Sequence, residues 1–451
     1  MHTGFRPAVL ALALTTLAVA DAAAQTGRTL AERLDSIAGS AVLAKRAVGA
    51  VAAVVKGTDT LLMKGYGRAN VEWDVPMPAD AMFEVGSVAK QFTAAAILQL
   101  RDAGKLSLDD EITKWLPDFD TRGNRVTVRR LLDHTSGIVG LTEMPEFGLL
   151  VWNPHFPRDS AYALIKRYPF QFPTGTAQMY NNSAFWLAGL IIEKASGMTY
   201  EDYVEQRLFA PLGMTRSMYC NSAEDVPRRA NGYAVQQGVI RRAPTNVHTW
   251  PFSAGSICST AGDLVTWVRA LHGGKVLTPR SYQEMIAPAT LDDGTPLRYG
   301  LGLGVGKDPR GLTYIGHGGT ISGFGAEVGW YPDAQLAVVV LMNSNPGADP
   351  GDVAGELAAA LLPWQRPTVA PFTGDAAPLV GTYKGPGRGR DMVVQVTQAP
   401  QGITVSINGG TRRPAPWVEG TTFRVGSNFL IFRGGDLHLS GSSAYTVLKR
   451  Q

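Results

Sequence analysis

A serine and a lysine stand three positions apart in the stretch FEVGSVAKQFTAAAILQL, Phe83 to Leu100. On a helix that spacing puts both side chains on one face, one turn apart, so the Ser87 hydroxyl and the Lys90 amine would come within reach. A serine hydroxyl is a poor nucleophile until a base takes its proton. Lysine serves as that base only if its surroundings remove its charge. Poising it near neutrality means lowering its pKa by roughly three units, about 4 kcal/mol of differential interaction. The apolar neighbours Ala89, Phe92, Ala94, Ala95 and Ala96 would desolvate it. A helix start adds positive potential and backbone N–H groups for a developing oxyanion. The plain alternative is the ordinary beginning of a core helix.

Two further stretches could complete such a site. PTGTAQMYNNSAFWLAGLIIEKASG sets Tyr180 and Asn182 in a polar turn before a helix. A tyrosine there would shuttle the nucleophile's proton to a leaving group, and Asn182 would orient Lys90 and hold a substrate carbonyl. The structural alternative is that Asn182 caps the helix and Tyr180 packs. YIGHGGTISGFGAEVGWYPD sets His317, Gly318 and Gly319 in a strand. Glycines in a strand let another backbone approach closely, here a substrate. The Thr320 N–H would then join that of Ser87 in an oxyanion hole. The alternative is a strand bulge with a surface histidine.

Several elements must position these residues. Residues 28–46 read as an amphipathic helix, and VGAVAAVVKGTDTLLMKGYGRAN as two strands joined at KGTDT. The helix near Ser87 runs to about Asp102 and stops at Gly104. TVRRLLDHTSGI is a short helix ending in a turn. Residues 138–158 lack periodicity and read as a long loop, with Met144, Phe147, Trp152 and Phe156 candidates to line a pocket. Further helices are expected at about 159–167, 183–196, 200–209, 260–271 and 352–362. LTYIGHG, GAEVGWYPD and LAVVVLMNS read as antiparallel strands. Early and late strands would form one sheet closed from both ends of the domain, with the helical middle packed beside it. A Pro-rich linker is expected at 363–371, and seven alternating stretches in 372–451 read as a small all-β domain, a meander or partial barrel.

Taken together, the S-x-x-K, Y-x-N and H-x-G stretches resemble the serine β-lactamase and penicillin-binding-protein superfamily, in particular its class C-like branch. That branch includes family VIII-type esterases and D-stereospecific peptidases. FEVGSVAKQFTA, LLDHTSGI, PTGTAQMYNNSAF, SAGSICSTAGDLVTWV, YGLGLGV and GHGGTISGFGA carry the likeness, over roughly residues 35–345. The resemblance implies an α/β (α+β) fold, an antiparallel sheet flanked by helices with a helical subdomain, over residues 25–362. It implies Ser87 as the acylated nucleophile, and Lys90 and Tyr180 sharing base and acid duties. It also implies Asn182, His317 and Gly319 at the substrate, and the Ser87 and Thr320 amides as the oxyanion hole. Members that bind penicillin usually carry a lysine where this chain has His317. A neutral histidine is a poor partner for a substrate carboxylate. An ester, a peptide or a β-lactam would be the substrate, with esterase or D-peptidase chemistry ahead of efficient β-lactam turnover. The alternatives are a β-lactamase, or a protein that binds β-lactams or cell-wall peptides with slow turnover.

Composition bounds the rest. Of 451 residues, 45% are hydrophobic and 18% charged, so a packed core is expected. Arg6 precedes the apolar run AVLALALTTLAVA and then DAAAQ, a pattern for a secretory signal peptide over residues 1–24 cleaved near Ala24. The run is short of the ~20 residues a membrane span needs. The expected location is therefore periplasmic or secreted, without a transmembrane segment. An oxidising compartment would allow Cys220 and Cys258 to pair, and sequence leaves that open. There is neither H-E-x-x-H nor C-x-x-C, so no metal or other cofactor is expected. No serine sits in G-x-S-x-G, which excludes the α/β-hydrolase reading. Residues 371–451 hold nine Lys/Arg against four Asp/Glu. That excess fits weak association with an anionic envelope, and no nucleic-acid motif accompanies it.

Overall fold

The run GAVAAVVK (Gly49–Lys56, β1) has no polar face, and the computed structural model shows why: both its faces are covered. The structure describes residues 28–153, 156–221, 225–308, 310–363 and 370–451. The expected leader and residues 364–369 of the expected linker lie outside the described residues. Val51, Ala53 and Val55 of β1 enter the main core, while Ala50, Ala52 and Val54 enter a second core on the opposite face. The second core lies beneath helices α1 (Leu30–Leu43) and α5 (Pro350–Ala359). Helices α2 (Ala89–Asp102), α3 (Asn182–Ser196) and α4 (Ala261–His272) fill the main core.

Strand β2 (Asp59–Asn70) forms the expected hairpin with β1. Short strands follow at Val75–Pro76 (β3), Phe83–Glu84 (β4), Gln178–Met179 (β5), Met218–Tyr219 (β6), Tyr233–Gln236 (β7), Val239–Arg242 (β8) and Ile257–Ser259 (β9). The late strands are β10 (Gly304–Lys307), β11 (Thr313–Ile321), β12 (Phe324–Tyr331) and β13 (Leu336–Met342). The main sheet runs β10-β11-β12-β13-β1-β2-β3. Every pairing in it is antiparallel, and β1 meets β13, so the sheet closes from both ends of the domain as expected.

Helix α2 is buried on nearly every side, which explains its unbroken apolar run. It begins at Ala89, after a 3-10 turn at Gly86–Val88 that carries Ser87. The segment read as a loop over 138–158 is not all loop. It holds a 3-10 turn at Leu141–Glu143 and a helix at Phe147–Trp152. A six-residue helix is too short to reveal its period in sequence.

The C-terminal residues form their own core around Tyr383, Val394, Val405, Phe423, Leu430 and Leu448. Seven expected strands become nine: β14 (Gly381–Gly385), β15 (Met392–Ala399), β16 (Gly402–Ile407), β17 (Arg413–Ala415), β18 (Trp417–Glu419), β19 (Thr422–Val425), β20 (Asn428–Arg433), β21 (Asp436–Ser440) and β22 (Ala444–Arg450). The unforeseen β17 and β18 have three residues each, too few to show alternation. They stand at the two ends of the order β17-β16-β15-β14-β22-β21-β20-β19-β18, an almost closed barrel. Among the described residues no helix is long and apolar enough to cross a membrane.

Candidate active site

Lys90 projects from the first turn of α2 into a fully buried position. Its Nζ lies 3.1 Å from Ser87 Oγ, 2.8 Å from Asn182 Oδ1 and 2.8 Å from the Ala254 carbonyl oxygen. Burial pushes the amine well below the ordinary lysine range, the Arg388 guanidinium adds to this, and Glu143 opposes it. The three acceptors pull the other way, because an ammonium has three protons to place. The two influences meet in one geometric consequence. A neutral amine has two protons and a lone pair, so one contact must reverse its direction. The Ala254 carbonyl and the Asn182 amide oxygen have no proton to give. Only the Ser87 hydroxyl can donate to a neutral Lys90, and that is the hydrogen bond a general base needs.

Asn182 is the first residue of α3 and points back at Lys90. The helix cap is Asn181, whose side chain accepts from the Ala184 amide. The two adjacent asparagines thus divide the work, and capping does not fall to Asn182. Asn182 Nδ2 donates to Thr142 Oγ1 at 3.3 Å. The Tyr180 ring lies 4.8 Å from Lys90 Nζ. Its hydroxyl is buried without a well-formed hydrogen bond among the described residues. Burial raises the Tyr180 pKa far above that of a free phenol, and the nearby Ser87 side chain opposes this only partly. A phenolate is therefore disfavoured in this site, and the neutral phenol keeps a proton to give.

Strand β11 packs directly on the turn that carries Ser87. A Cβ on Gly319 would stand 1.9 Å from the Val85 carbonyl oxygen and 3.2 Å from the Ser87 amide nitrogen. A Cβ on Gly86, where φ is +53°, would stand 3.0 Å from the Thr320 amide nitrogen. The backbone that Gly319 admits is thus the chain's own Val85–Ser87, where sequence reasoning had placed a substrate. The close approach sets the Ser87 and Thr320 amides side by side. Both residues line a cavity of about 360 Å³, together with Asn182, Phe147 and Trp250. Phe147 packs edge-on against Trp250 at 4.9 Å, so part of the segment read as a loop does form a pocket wall. A larger cavity of about 550 Å³ lies at Tyr314, Glu327 and Phe429, remote from the serine and lysine. The smaller cavity is the one with chemistry in it.

His317 sits behind Tyr180 with both ring nitrogens engaged. Nδ1 lies 2.5 Å from the Gly318 carbonyl oxygen and Nε2 lies 2.9 Å from Tyr299 Oη. A carbonyl only accepts, so Nδ1 carries the proton and Nε2 accepts from Tyr299. Burial, with the Lys90 charge adding, lowers its pKa to about 3. The ring is neutral and offers no free charge to a carboxylate. His134 faces Tyr180 and Tyr299, with ring centres 4.4 and 4.7 Å away, and its Nδ1 accepts from the Asn181 amide. His134, Tyr299, Thr142 and the Ala254 carbonyl had no role assigned from sequence. LLDHTSGI, SAGSICSTAGDLVTWV and YGLGLGV mark three of these places, those of His134, Ala254 and Tyr299, without naming the atoms.

Cys220 and Cys258 form a disulfide, with Cα atoms 5.1 Å apart. The bond ties the end of β6 to β9, and β9 also pairs with β4, three residues before Ser87. Among the described residues no cluster of His, Cys, Asp and Glu could hold a metal ion.

Comparison with known proteins gives a consistent result. The family model for Beta-lactamase matches residues 25–362. The chain is 27% identical over 407 residues to the D-aminopeptidase of Cereibacter sphaeroides, covering 90% of this chain and 74% of that one. It is 27% identical over 380 residues to Esterase EstB of Burkholderia gladioli, covering 74% and 94%. The solved structure of a D-stereospecific amidohydrolase from Streptomyces sp. matches with a TM-score of 0.62 at 30% identity, covering 71% of this chain and 96% of that one.

Proposed function

Because the chain belongs to the Beta-lactamase family and is a serine hydrolase, we propose that it works through a Ser87 acyl-enzyme on amides or esters of D-amino-acid type, outside the cytoplasm. The observation that carries this reading is the buried Lys90 amine, whose only proton-giving hydrogen-bond partner among the described residues is Ser87. Lys90 takes the hydroxyl proton as Ser87 Oγ attacks the substrate carbonyl. The Ser87 and Thr320 amides face the oxygen that gains charge. Tyr180 gives its proton to the departing amine or alcohol and regains one from Lys90. Water then attacks the ester of Ser87 by the reverse relay and frees the acid.

Two features favour an amide or ester over a β-lactam. His317 is neutral with both nitrogens in use. The similar proteins named above are a D-aminopeptidase, an esterase and a D-stereospecific amidohydrolase. Export is supported by the leader pattern and by the disulfide.

The test is intact-protein mass spectrometry after exposure to p-nitrophenyl butyrate, a D-alanyl peptide amide and a fluorescent penicillin, with Ser87→Ala as control. Turnover or an adduct that Ser87→Ala abolishes is the expected result. Wild-type turnover in the Ser87→Ala variant would overturn it.

A further inference from the structure

The C-terminal barrel touches the reaction centre at two places. β22 pairs with β5, with Ala444 opposite Met179 and Tyr445 opposite Gln178. The next amide along, that of Tyr180, donates to the Ser443 carbonyl at 2.8 Å. Arg388, in the turn between β14 and β15, reaches the site separately. Its guanidinium lies 5.3 Å from the centre of the Tyr180 ring. Nη2 donates to Thr142 Oγ1 at 3.2 Å and lies 2.6 Å from Glu143 Oε1. Thr142 Oγ1 also accepts from Asn182 Nδ2, and Asn182 holds Lys90. A chain of contacts thus runs from the barrel to the amine beside Ser87.

We propose that Arg388 is a positioning residue of the hydrolase, supplied by the C-terminal domain, that fixes Thr142 and Asn182 around Lys90 and holds a permanent positive charge over Tyr180. The inference rests on the Ser87 acyl-enzyme reading. A guanidinium does not lose its proton in proteins, so its charge is constant across the working pH range. Around Tyr180 stand Lys90 from α2, His134 from the segment before the Leu141–Glu143 turn, Tyr299, His317 from β11, and Glu143, with Asp133 behind them acting on Tyr299. Burial keeps His134 and His317 neutral, and lifts the Asp133 carboxyl to about 6. Among the described residues, Arg388 and Glu143 are the charged side chains whose fields bear on both Lys90 and Tyr180. Glu143 offsets part of the Arg388 field, while Arg388 makes the extra proton on the pair less favourable.

The experiment compares full-length wild type, Arg388→Lys, Arg388→Met and Ser87→Ala, reading kcat/KM for p-nitrophenyl butyrate across pH. Loss of the fixed cation lets the Lys90–Tyr180 pair hold its proton to higher pH. The acid limb of Arg388→Met should move up by about half to one pH unit, with a plateau about tenfold lower. Arg388→Lys should restore the limb, because it restores the charge. A role in folding alone would lower the amount of active enzyme and leave the limb in place. If Arg388→Met does not fold by thermal melting, Arg388→Gln takes its place. A limb that coincides in all folded variants overturns the inference while Ser87→Ala remains inactive. Turnover by Ser87→Ala would overturn the acyl-enzyme reading and this inference with it.

Discussion

Gly319→Ala isolates the contact between β11 and the nucleophile turn. The added Cβ would sit 1.9 Å from the Val85 carbonyl oxygen, where 3.0 Å is the shortest approach that Cβ atoms show. Strand and turn must therefore part by about 1.1 Å. Neither partner is the loose end of a side chain, because both are backbone. Overpacking of this kind costs about 1–3 kcal/mol of stability. The catalytic cost is larger. The Ser87 and Thr320 amides lie on the two surfaces that must separate, and a misplacement of about 1 Å can cost about 10²-fold. Loss of one oxyanion donor costs about 10²–10³ in kcat, or about 2.7–4 kcal/mol. The expected result is a kcat about 10²-fold below wild type for p-nitrophenyl butyrate, with KM little changed and a modest drop in melting temperature. Steady-state kinetics beside a thermal melt give both numbers. A variant with wild-type kcat and wild-type melting temperature would refute the reasoning, since the strand could then retreat at no cost to the site.

Tyr180→Phe removes a hydroxyl that has no well-formed hydrogen bond to lose among the described residues, so the melting temperature should nearly hold. Turnover of a D-amino-acid amide should fall by about 10²–10³, while a p-nitrophenyl ester, whose leaving group needs no proton, should fall by less than about tenfold. Equal losses on both substrates would remove Tyr180 from the donor role. Glu327 on β12 accepts from the Tyr314 hydroxyl. Burial raises its carboxyl to about 7, Tyr314 opposes this and Asp349 adds to it. The folded state then holds a proton that the unfolded chain releases as pH rises from 4.5 towards about 7. The contribution is complete below that window and is lost on crossing it, so Glu327→Gln should gain stability relative to wild type by about 3 kcal/mol between acid and mildly alkaline pH. Urea melts on either side of the window check this, and a constant gap between the two proteins would sink it.

The residues that met around Ser87 were legible because each carries a side chain of distinctive chemistry in a local motif. Ser87 and Lys90 are one turn apart, and Tyr180 and Asn182 flank a helix start, so their types and spacing stand in the sequence. The Ala254 carbonyl was not legible, because a backbone acceptor has no residue type. Thr142 and Arg388 were missed because each acts through a partner far along the chain. Arg388 lies 246 residues from Thr142. The pairing of β5 with β22 was missed for the same reason, since a two-residue strand has no period to read. Gly319 was marked correctly as a site of close approach, yet sequence could not tell which backbone would approach. The main sheet was the easiest part. Strands β1, β2, β11, β12 and β13 are long enough to read, and the faces of β1 and β13 divide cleanly between two cores, whereas β3 and β10, of two and four residues, are too short.

Charge placement connects these observations. A lysine at position 317 would set an ammonium among Tyr180, Tyr299 and His134, in the layer behind Lys90. Either that ammonium or Lys90 would have to be relieved of charge in so buried a place. Histidine at 317 avoids the conflict, because its neutral ring satisfies Gly318 and Tyr299 within the same volume. The site still gains from positive potential, since every step of the proposed reaction passes through an oxyanion. Arg388 meets that need from the mouth of the site, where its side chain is 43% exposed and water shares the cost of the charge. The cation then comes from residues beyond 25–362, outside the span that the family model matches. On this argument a lysine introduced at 317 would not substitute for Arg388. It would compete with Lys90 for the neutral state on which the base depends.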